Sequence, residues 1–509
     1  MPKTKLTADK IKRHALPASD AVELVDTDTP GLICRITRGG AKTMAVKGRI
    51  KGGPTFRISL GTYTLRPLGG IDGWRARARA IMAQARDGQD PRTQKPVNLP
   101  LPEVRAPRPK PNVGKNPRIT PPSGDIQSRV AALIPAIVAA APRIDAEGEL
   151  PTDLLDALFA AGLFRLLLPR ALDGAELHPG ALFELMETIA AADGSVAWCL
   201  AQAAGCSMAA AYLEPAAANH VFADPRAVLA WGPGQGEAVI TEGGYRVTGV
   251  WNFASGGRHA SWFGGRCRIV DTDGSPGGKS GGERTLLFPR ADVTLTDTWD
   301  VIGLRGTGSD RYAVADLFVP DAFGFAPDYT LVPQADTPRF ADGTLYRLPA
   351  QSVYGCAFAG IALGIARGAM AAFEELAQNK APRGGAPTLR EDAVAQFEYG
   401  KAETRLRAAR AFVLETAETL WNDVAAGGAY TPDHRIAIRM AVTHAIHEAK
   451  NAVGAVYHAA GTTSVFASQP FERRLRDANT VTQQLQGRLA FFQLIGQHLL
   501  GLDPDIRLV

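Results

Sequence analysis

The sequence predicts a multidomain chain in two unlike parts: a small α+β module of a three-stranded sheet plus a helix, then a large unit ordered helices, strands, helices. Three observations lead there. Hydrophobic periodicity alternates along the chain between a period of two and one near 3.6. The stretch DPRTQKPVNLPLPEVRAPRPKPNVGKNPRITPP, residues 90–122, is too proline-dense for helix or sheet ladders and reads as an extended linker. Charge divides at the same place. Residues 1–124 hold 24 Lys/Arg against 9 Asp/Glu, a balance of +15, while the remainder balances at −10 within a total of +5 over 509 residues. A basic piece suits a polyanion and an acidic piece a soluble enzyme. The expected boundaries are a module over 1–92, a linker over 93–124, a first helical domain over 125–225, a middle β domain over 226–345 and a C-terminal helical bundle over 346–509.

In the module, Leu32–Thr37, Thr43–Ile50 and Thr55–Leu60 are short runs with β-branched residues. Arg38-Gly39-Gly40 and Lys51-Gly52-Gly53-Pro54 separate them as turn signals at hairpin spacing. Asp72 offers an N-cap for GWRARARAIMAQAR, in which Arg75 and Arg79 share a helix face. In the large unit, Ile126–Ala141, Thr152–Leu167 and Pro179–Asp193 carry apolar residues three and four apart, and Ser195–Leu213 is apolar nearly all round, as a buried helix is. Strand-like runs follow at Ala227–Trp231, Ala238–Ile240, Tyr245–Phe253, Trp262–Val270, Arg284–Phe288 and Tyr312–Val319, with a flexible hairpin excursion at Asp271–Glu283. Helical periodicity returns near Pro349 and continues through Ala369–Gln378, Leu389–Asp423, His434–Ala460 and Gln484–Leu500.

Hydrophobic residues at 46% and charged residues at 21% exclude a wholly disordered chain, a collagen and a coiled-coil rod. Five cysteines (Cys34, Cys199, Cys206, Cys267, Cys356) are scattered without a CxxC pair, so neither a zinc ribbon nor a disulfide scaffold is expected and a reducing cytoplasm is. The charged start, MPKTKLTADKIKRH, has no apolar stretch behind it and predicts no signal peptide. The weakly polar stretch Tyr354–Phe373 carries Arg367 and reads as a buried helix rather than a membrane span. His444 and His447 stand three apart with no third ligand, so no metal site is expected.

Three motifs, in order, carry a family resemblance: YRVTGVWNFASGGRHASW over Tyr245–Trp262; WDVIGLRGTGSD over Trp299–Asp310, followed by VADLFVP to Pro320; and QPFERRLRDA over Gln469–Ala478. With them, residues 125–500 resemble the acyl-CoA dehydrogenase superfamily. The resemblance implies an α-helical domain, a β-barrel domain and a C-terminal four-helix bundle, a homotetramer, and FAD or FMN held between the β domain and the bundle. On that resemblance Trp251 is an aromatic wall for the flavin, the Ser255 hydroxyl meets flavin N5, and Trp231 and Gly232 in AWGPGQG belong to a loop whose glycines let backbone amides approach the ring. Arg305 in the GLRGT turn and Arg347 at the start of the bundle are cofactor-phosphate candidates.

Dehydrogenases of this superfamily take an α-proton with a glutamate, most often seven residues after the RDA motif. That position is Leu485, between Gln484 and Gln486, and the alternative position falls near Val353-Tyr354; neither place holds a carboxylate. The chain is more similar to a sister branch, the two-component flavin-dependent monooxygenases, through Asp193-Gly-Ser-Val-Ala-Trp198 and the Trp251–Trp262 segment. That branch accepts reduced flavin from a separate flavin reductase and uses O2 on a small organic substrate in a dry pocket. Where it usually has two histidines this chain has Cys206-Ser207 and Gln484. Gln484 hydrogen-bonds without taking a proton, and Cys206 takes one only if its pKa is lowered. His458 and His259 are the other proton-transfer candidates. The catalytic expectation is therefore Ser255, His458, Gln484 and Cys206, with acyl-CoA dehydrogenation as the alternative chemistry.

The module has a resemblance of its own. Lys5-Leu-Thr-Ala-Asp-Lys-Ile-Lys12, the run from Leu24 through PGLICRIT, Arg57-Ile-Ser-Leu-Gly-Thr-Tyr63 and Gly88-Gln-Asp-Pro91 look like the arm-type DNA-binding domain of tyrosine recombinases (integrases). The resemblance implies DNA contact by the sheet through Arg35, Lys42, Lys47, Arg49 and Arg57. No recombinase catalytic domain follows, so strand cleavage is not implied. A third reading follows from the fusion and the missing bases: a DNA-binding protein whose flavin fold is inactive.

Overall fold

The computed structural model describes residues 3–7, 10–11, 14, 21–38, 42–62, 70–87, 90–91, 125–271, 282–325, 343–382, 384 and 387–505. The proline-rich linker and nearly all of the hairpin excursion lie outside these residues. The chain divides into two compact units, Met1–Val104 and Arg105–Val509.

Among the described residues the first unit has a sheet of five strands rather than three: β1 (Lys3–Thr4), β2 (Ala21–Asp26), β3 (Leu32–Thr37), β4 (Lys42–Arg49) and β5 (Thr55–Thr62), paired in chain order. The extra long strand, AVELVD, alternates less cleanly than its neighbours and was hidden by its two acids. Helix α1 (Gly70–Arg86) covers one face. Leu32, Cys34, Ile36, Met44 and Val46 point into that interface and pack with Trp74, Ala78 and Ala85, as a period-two strand against a helix requires. The helix is pinned by a buried ion pair. Arg75 Nε donates to Asp26 Oδ2 at 2.9 Å, and Asp26 Oδ1 accepts the Leu6 amide at 2.9 Å. Against the penalty of burial, the Arg75 guanidinium holds the Asp26 carboxyl below the usual carboxylate range.

The second unit opens with helices α2 (Ile126–Glu147), α3 (Thr152–Ala160), α4 (Pro179–Ala192), α5 (Gly194–Ser207) and α6 (Pro215–Phe222). Asp193 ends α4 and caps α5, its carboxylate accepting the Ser195 and Val196 amides at 2.9 and 3.0 Å. The strands are β6 (Leu229–Trp231), β7 (Gly234–Thr241), β8 (Gly244–Ala254), β9 (Trp262–Val270), β10 (Glu283–Pro289), β11 (Thr294–Thr296), β12 (Asp310–Pro320) and β13 (Gly324–Phe325). They form one sheet in the order β11-β12-β8-β7-β9-β10-β13, with β6 parallel to β9. Both neighbours of β8, β12 and β7, run antiparallel to it.

Helices then return as α7 (Ala350–Asn379), α8 (Ala393–Ala425), α9 (Pro432–Ala459), α10 (Pro470–Val481) and α11 (Ala490–Leu499). Among the described residues α7 alone is long and apolar enough to cross a membrane, and 83% of its most apolar window is buried inside the protein. It lies closely along α4 because α7 presents glycines to the α4 backbone at the contact. A Cβ on Gly360, Gly364 or Gly368 would stand 2.3, 2.2 and 2.5 Å from the carbonyl oxygens of Phe183, Glu187 and Ala191, two matching four-residue rows. The expected helix Gln484–Leu500 is broken. Leu485–Gly487 forms a 3-10 turn, and the helix starts only at Ala490. A Cβ on Gly487 would lie 2.9 Å from Thr482 Cα and O, so the chain turns back tightly here.

Candidate functional site

The site is built where β8 ends. Alternation along the strand buries Val247, Gly249 and Trp251, and a regular strand would bury residue 253 as well. The backbone interrupts this: Phe253 sits at φ 60°, a left-handed conformation costly for a side chain of this size. The flip turns the Phe253 ring out, leaving it 57% exposed. It meets Trp299 edge-on at 5.9 Å between ring centroids. Two residues later the Ser255 hydroxyl points inward and is buried.

Two buried groups meet that hydroxyl, and one of them leads into a chain of further hydrogen bonds. Trp198 Nε1 donates to Ser255 Oγ at 3.0 Å, from the first turns of α5. Ser255 Oγ and Ser309 Oγ are 2.7 Å apart, Ser309 Oγ and Thr307 Oγ1 2.8 Å, and Thr307 Oγ1 donates to the Leu304 carbonyl at 2.8 Å. The Gly256 amide donates to the Thr307 carbonyl at 2.9 Å, which ties the two loops together.

Charged groups hold this frame from outside. Leu304 is itself left-handed, at φ 50°, and its amide donates to Asp477 Oδ1 of α10 at 2.6 Å. Burial pushes the Asp477 carboxyl up to about 7, helped by Asp193 and opposed by the Leu304 amide, Arg473 and Arg476. Arg258 grips Asp310 at 2.8 Å and Asp297 at 2.9 Å, with Glu149 at 3.6 Å. Asp310 in turn accepts the Thr298 and Trp299 amides at 3.0 and 3.2 Å, which sets Trp299 beside Phe253. His259 packs edge-on to Phe164, its Nε2 is buried without a hydrogen-bond partner among the described residues, and burial pushes its pKa down to about 4, so the ring is neutral.

Of the expected site residues, Ser255 stands at this node. Trp251 does not line a cleft. It is fully buried among Tyr312, Phe288 and three glycines of the sheet, with its indole N–H on the Arg266 carbonyl at 3.2 Å. A Cβ on Gly236, Gly249 or Gly265 would come within 2.6, 2.4 and 2.4 Å of its ring, a cradle the glycine spacing announces in hindsight. The outward aromatic is Phe253, which sequence reasoning missed because strand alternation says nothing of a left-handed residue. Trp231 is half-buried against Gly264, and the Gly232 amide donates to the Tyr312 hydroxyl at 3.2 Å.

The remaining candidates have other occupations. Cys206 is fully buried, its Sγ 3.3 Å from the Tyr354 hydroxyl, and burial pushes the thiol up to about 12, so it is no base near neutrality. Gln484 caps the following 3-10 turn, its side chain accepting the Gln486 amide at 2.6 Å. His458 is exposed on the last turn of α9, with its ring against Tyr457. Arg305 donates to the carbonyls of Asp145 and Val301 at 2.9 and 3.0 Å, and Arg347 to that of Gly428 at 3.3 Å; both hold backbone. In the first unit, strand register places Arg35, Lys47, Arg49 and Arg57 on the sheet face opposite α1. Lys42 pairs with Ile36 and so has the opposite parity. Arg57 is 2.6 Å from Glu23.

Comparison with known proteins bears on the second unit. Residues 124–217 match the family model "Acyl-CoA dehydrogenase, N-terminal domain", and residues 356–486 match "Acyl-CoA dehydrogenase, C-terminal domain". The chain is 31% identical over 368 residues to indole-3-acetate monooxygenase of Pseudomonas putida, covering 71% of this chain and 90% of that protein. It is 28% identical over 405 residues to the oxygenase subunit HsaA, a flavin-dependent monooxygenase of Mycobacterium tuberculosis, covering 76% and 98%. Among solved structures, XiaF from Streptomyces, in complex with FADH2 and glycerol, superimposes with a TM-score of 0.68 at 26% identity, covering 75% of this chain and 96% of that one.

Proposed function

This chain belongs to the acyl-CoA dehydrogenase family, and we infer that within it the chain is the oxygenase component of a two-component, flavin-dependent monooxygenase. In the overall reaction one atom of O2 enters a small organic substrate and the other leaves as water. The two electrons come from reduced FAD or FMN, which a separate flavin reductase supplies. The observation that carries the site assignment is the Ser255 node: a buried hydroxyl held by α5 and by the loop at Ser309, next to an outward aromatic ring.

These residues fit a flavin. The exposed Phe253 face, backed by Trp299, suits one wall of the tricyclic ring, and Ser255 retains one lone pair for a ring nitrogen. The loop around Gly232 approaches the Asn252–Phe253 backbone so closely that a Cβ there would stand 1.8 Å from the Asn252 oxygen, which supports close passage of main chain beside the ring. Bound reduced flavin supplies the electrons that activate O2; the protein supplies position and dryness. The α-proton abstraction of an acyl-CoA dehydrogenase lacks its usual base, since Gln484, Leu485 and Gln486 occupy the expected region and Gln486 is itself buried and bonded to Arg439.

The test is direct. Purified chain is loaded with photoreduced flavin under argon, then mixed with 18O2 and a panel of aromatic acids and phenols. A product heavier by one 18O atom supports the reading. Bleaching of oxidised flavin by acyl-CoA thioesters, with no oxygen incorporated, overturns it.

A homotetramer belongs to the same proposal, and the exposed Val465, Phe466, Leu499 and Leu500 are apolar surface that assembly would cover. The five buried free cysteines suit the reducing cytoplasm proposed as its location. For residues 1–92 we propose DNA contact through the helix-free sheet face. Its support is the row of Arg35, Lys47, Arg49 and Arg57 on one side of the sheet, with Arg57 partly neutralised by Glu23. Retention of the full chain on duplex DNA that falls steeply with salt supports this, and salt-insensitive or absent retention rejects it.

A further inference from the structure

The hydroxyls around Ser255 have a forced direction. A carbonyl oxygen accepts only, so the Thr307 proton goes to the Leu304 carbonyl, 2.8 Å away. Thr307 has no second proton, and the 2.8 Å contact with Ser309 is therefore made by the Ser309 proton. Ser309 is then spent as a donor, so the 2.7 Å contact with Ser255 uses the Ser255 proton. An indole N–H only donates, and Trp198 fills one Ser255 lone pair at 3.0 Å. Ser255 is left with one lone pair and no proton to offer.

We propose that the chain Ser255–Ser309–Thr307–Leu304 carbonyl fixes Ser255 as a hydrogen-bond acceptor, so that the site selects reduced over oxidised flavin, with Ser309 and Thr307 as the positioning residues. The inference rests on the reading that the flavin ring lies against Ser255. Reduced flavin carries a hydrogen on N5 and offers a donor there; oxidised flavin presents N5 as a bare acceptor. An acceptor-only Ser255 pairs with the first and opposes the second. The selection suits an enzyme that receives its flavin already reduced and releases it oxidised. All three hydroxyls are buried, so water does not reset the direction.

The experiment measures dissociation constants of the full chain for oxidised FMN and FAD in air, and for the photoreduced forms under argon, by equilibrium dialysis. The variants are Thr307→Val, Ser309→Ala and Thr307→Ser. Wild type binds reduced flavin more tightly. Thr307→Val removes the acceptor of the Ser309 proton, which then turns to Ser255, and Ser309→Ala removes the acceptor of the Ser255 proton, so either frees the Ser255 proton and lowers the oxidised-to-reduced ratio of dissociation constants about tenfold, the worth of one neutral hydrogen bond. The gain is in affinity for oxidised flavin. The midpoint potential of bound flavin falls by about 30 mV, the two-electron equivalent of a tenfold ratio. Thr307→Ser keeps the hydroxyl and keeps the wild-type ratio. Unchanged ratios in both Thr307→Val and Ser309→Ala, each still binding flavin, overturn the inference and leave the flavin reading standing. Wild-type chain that binds flavin in neither redox state overturns both.

Discussion

Replacing Phe253 and Trp251 separately by alanine distinguishes the residue that faces a ligand from the one that holds the sheet together. Trp251 is fully buried, in ring contact with Tyr312 at 5.3 Å and Phe288 at 5.5 Å. Trp251→Ala leaves a cavity lined by glycines that cannot collapse into it, and costs about 3–5 kcal/mol of stability. Phe253 is 57% exposed, so Phe253→Ala costs at most about 1 kcal/mol. If its ring walls the flavin, the same change removes a stacking face and its buried area, about 1–3 kcal/mol of binding, and weakens flavin affinity about 5- to 150-fold. Thermal or urea unfolding reads the first effect, and titration with reduced flavin under argon reads the second. Phe253→Ala with wild-type flavin affinity, or Trp251→Ala with wild-type stability, would refute the assignment of these two rings.

Other expectations follow from the same contacts. Burial raises the Asp477 carboxyl to about 7, so folding retains a proton that the unfolded chain gives up near pH 4. That contribution to stability is complete below about pH 4 and is lost as pH rises through 7. Asp477→Asn keeps an acceptor for the Leu304 amide and gains most at pH 8, up to about 4 kcal/mol; unfolding midpoints at pH 5 and 8 that shift equally against wild type reject this. Cys206, fully buried with its thiol pushed up to about 12, resists iodoacetamide at pH 8 in the native protein and reacts once unfolded; rapid native labelling mapped to this residue by mass spectrometry contradicts the burial. Gly360→Val drives a side chain into the Phe183 carbonyl, 2.3 Å from the new Cβ, and separates α7 from α4; a melting temperature within 2 °C of wild type, roughly under 1 kcal/mol, is the contrary outcome. Arg75→Met strands the buried Asp26 carboxylate and costs about 3–5 kcal/mol, read as loss of amide protection in β2–β5 by hydrogen exchange.

The element order and the broad chemistry were legible in the sequence because both rest on local rules. Periodicity placed most helices and strands, though not α6 or α10, and three motifs in order placed the family and its flavin. Two of the exceptions have a visible local cause. β2 carries two acids among its apolar residues, one of which, Asp26, is the buried partner of Arg75 forty-nine positions away. The Gln484–Leu500 helix is interrupted by a turn that Gly487 alone makes possible.

Ser255 was legible for the same reason as the family: its place in a motif. The residues that give it direction were not. Trp198, Thr307, Ser309 and Asp477 lie on α5, the 304–309 loop and α10, and only the folded chain links them through Ser255 and Leu304 into one hydrogen-bonded series. Sequence alone determined the family fold of this chain and pointed to the reaction class proposed for it, since hydrophobic period and motif order survive without coordinates. Tertiary structure decided which aromatic faces out and which way each hydroxyl proton points. Those depend on a left-handed φ at Phe253 and on a carbonyl that accepts but never donates, and neither leaves a trace in residue spacing.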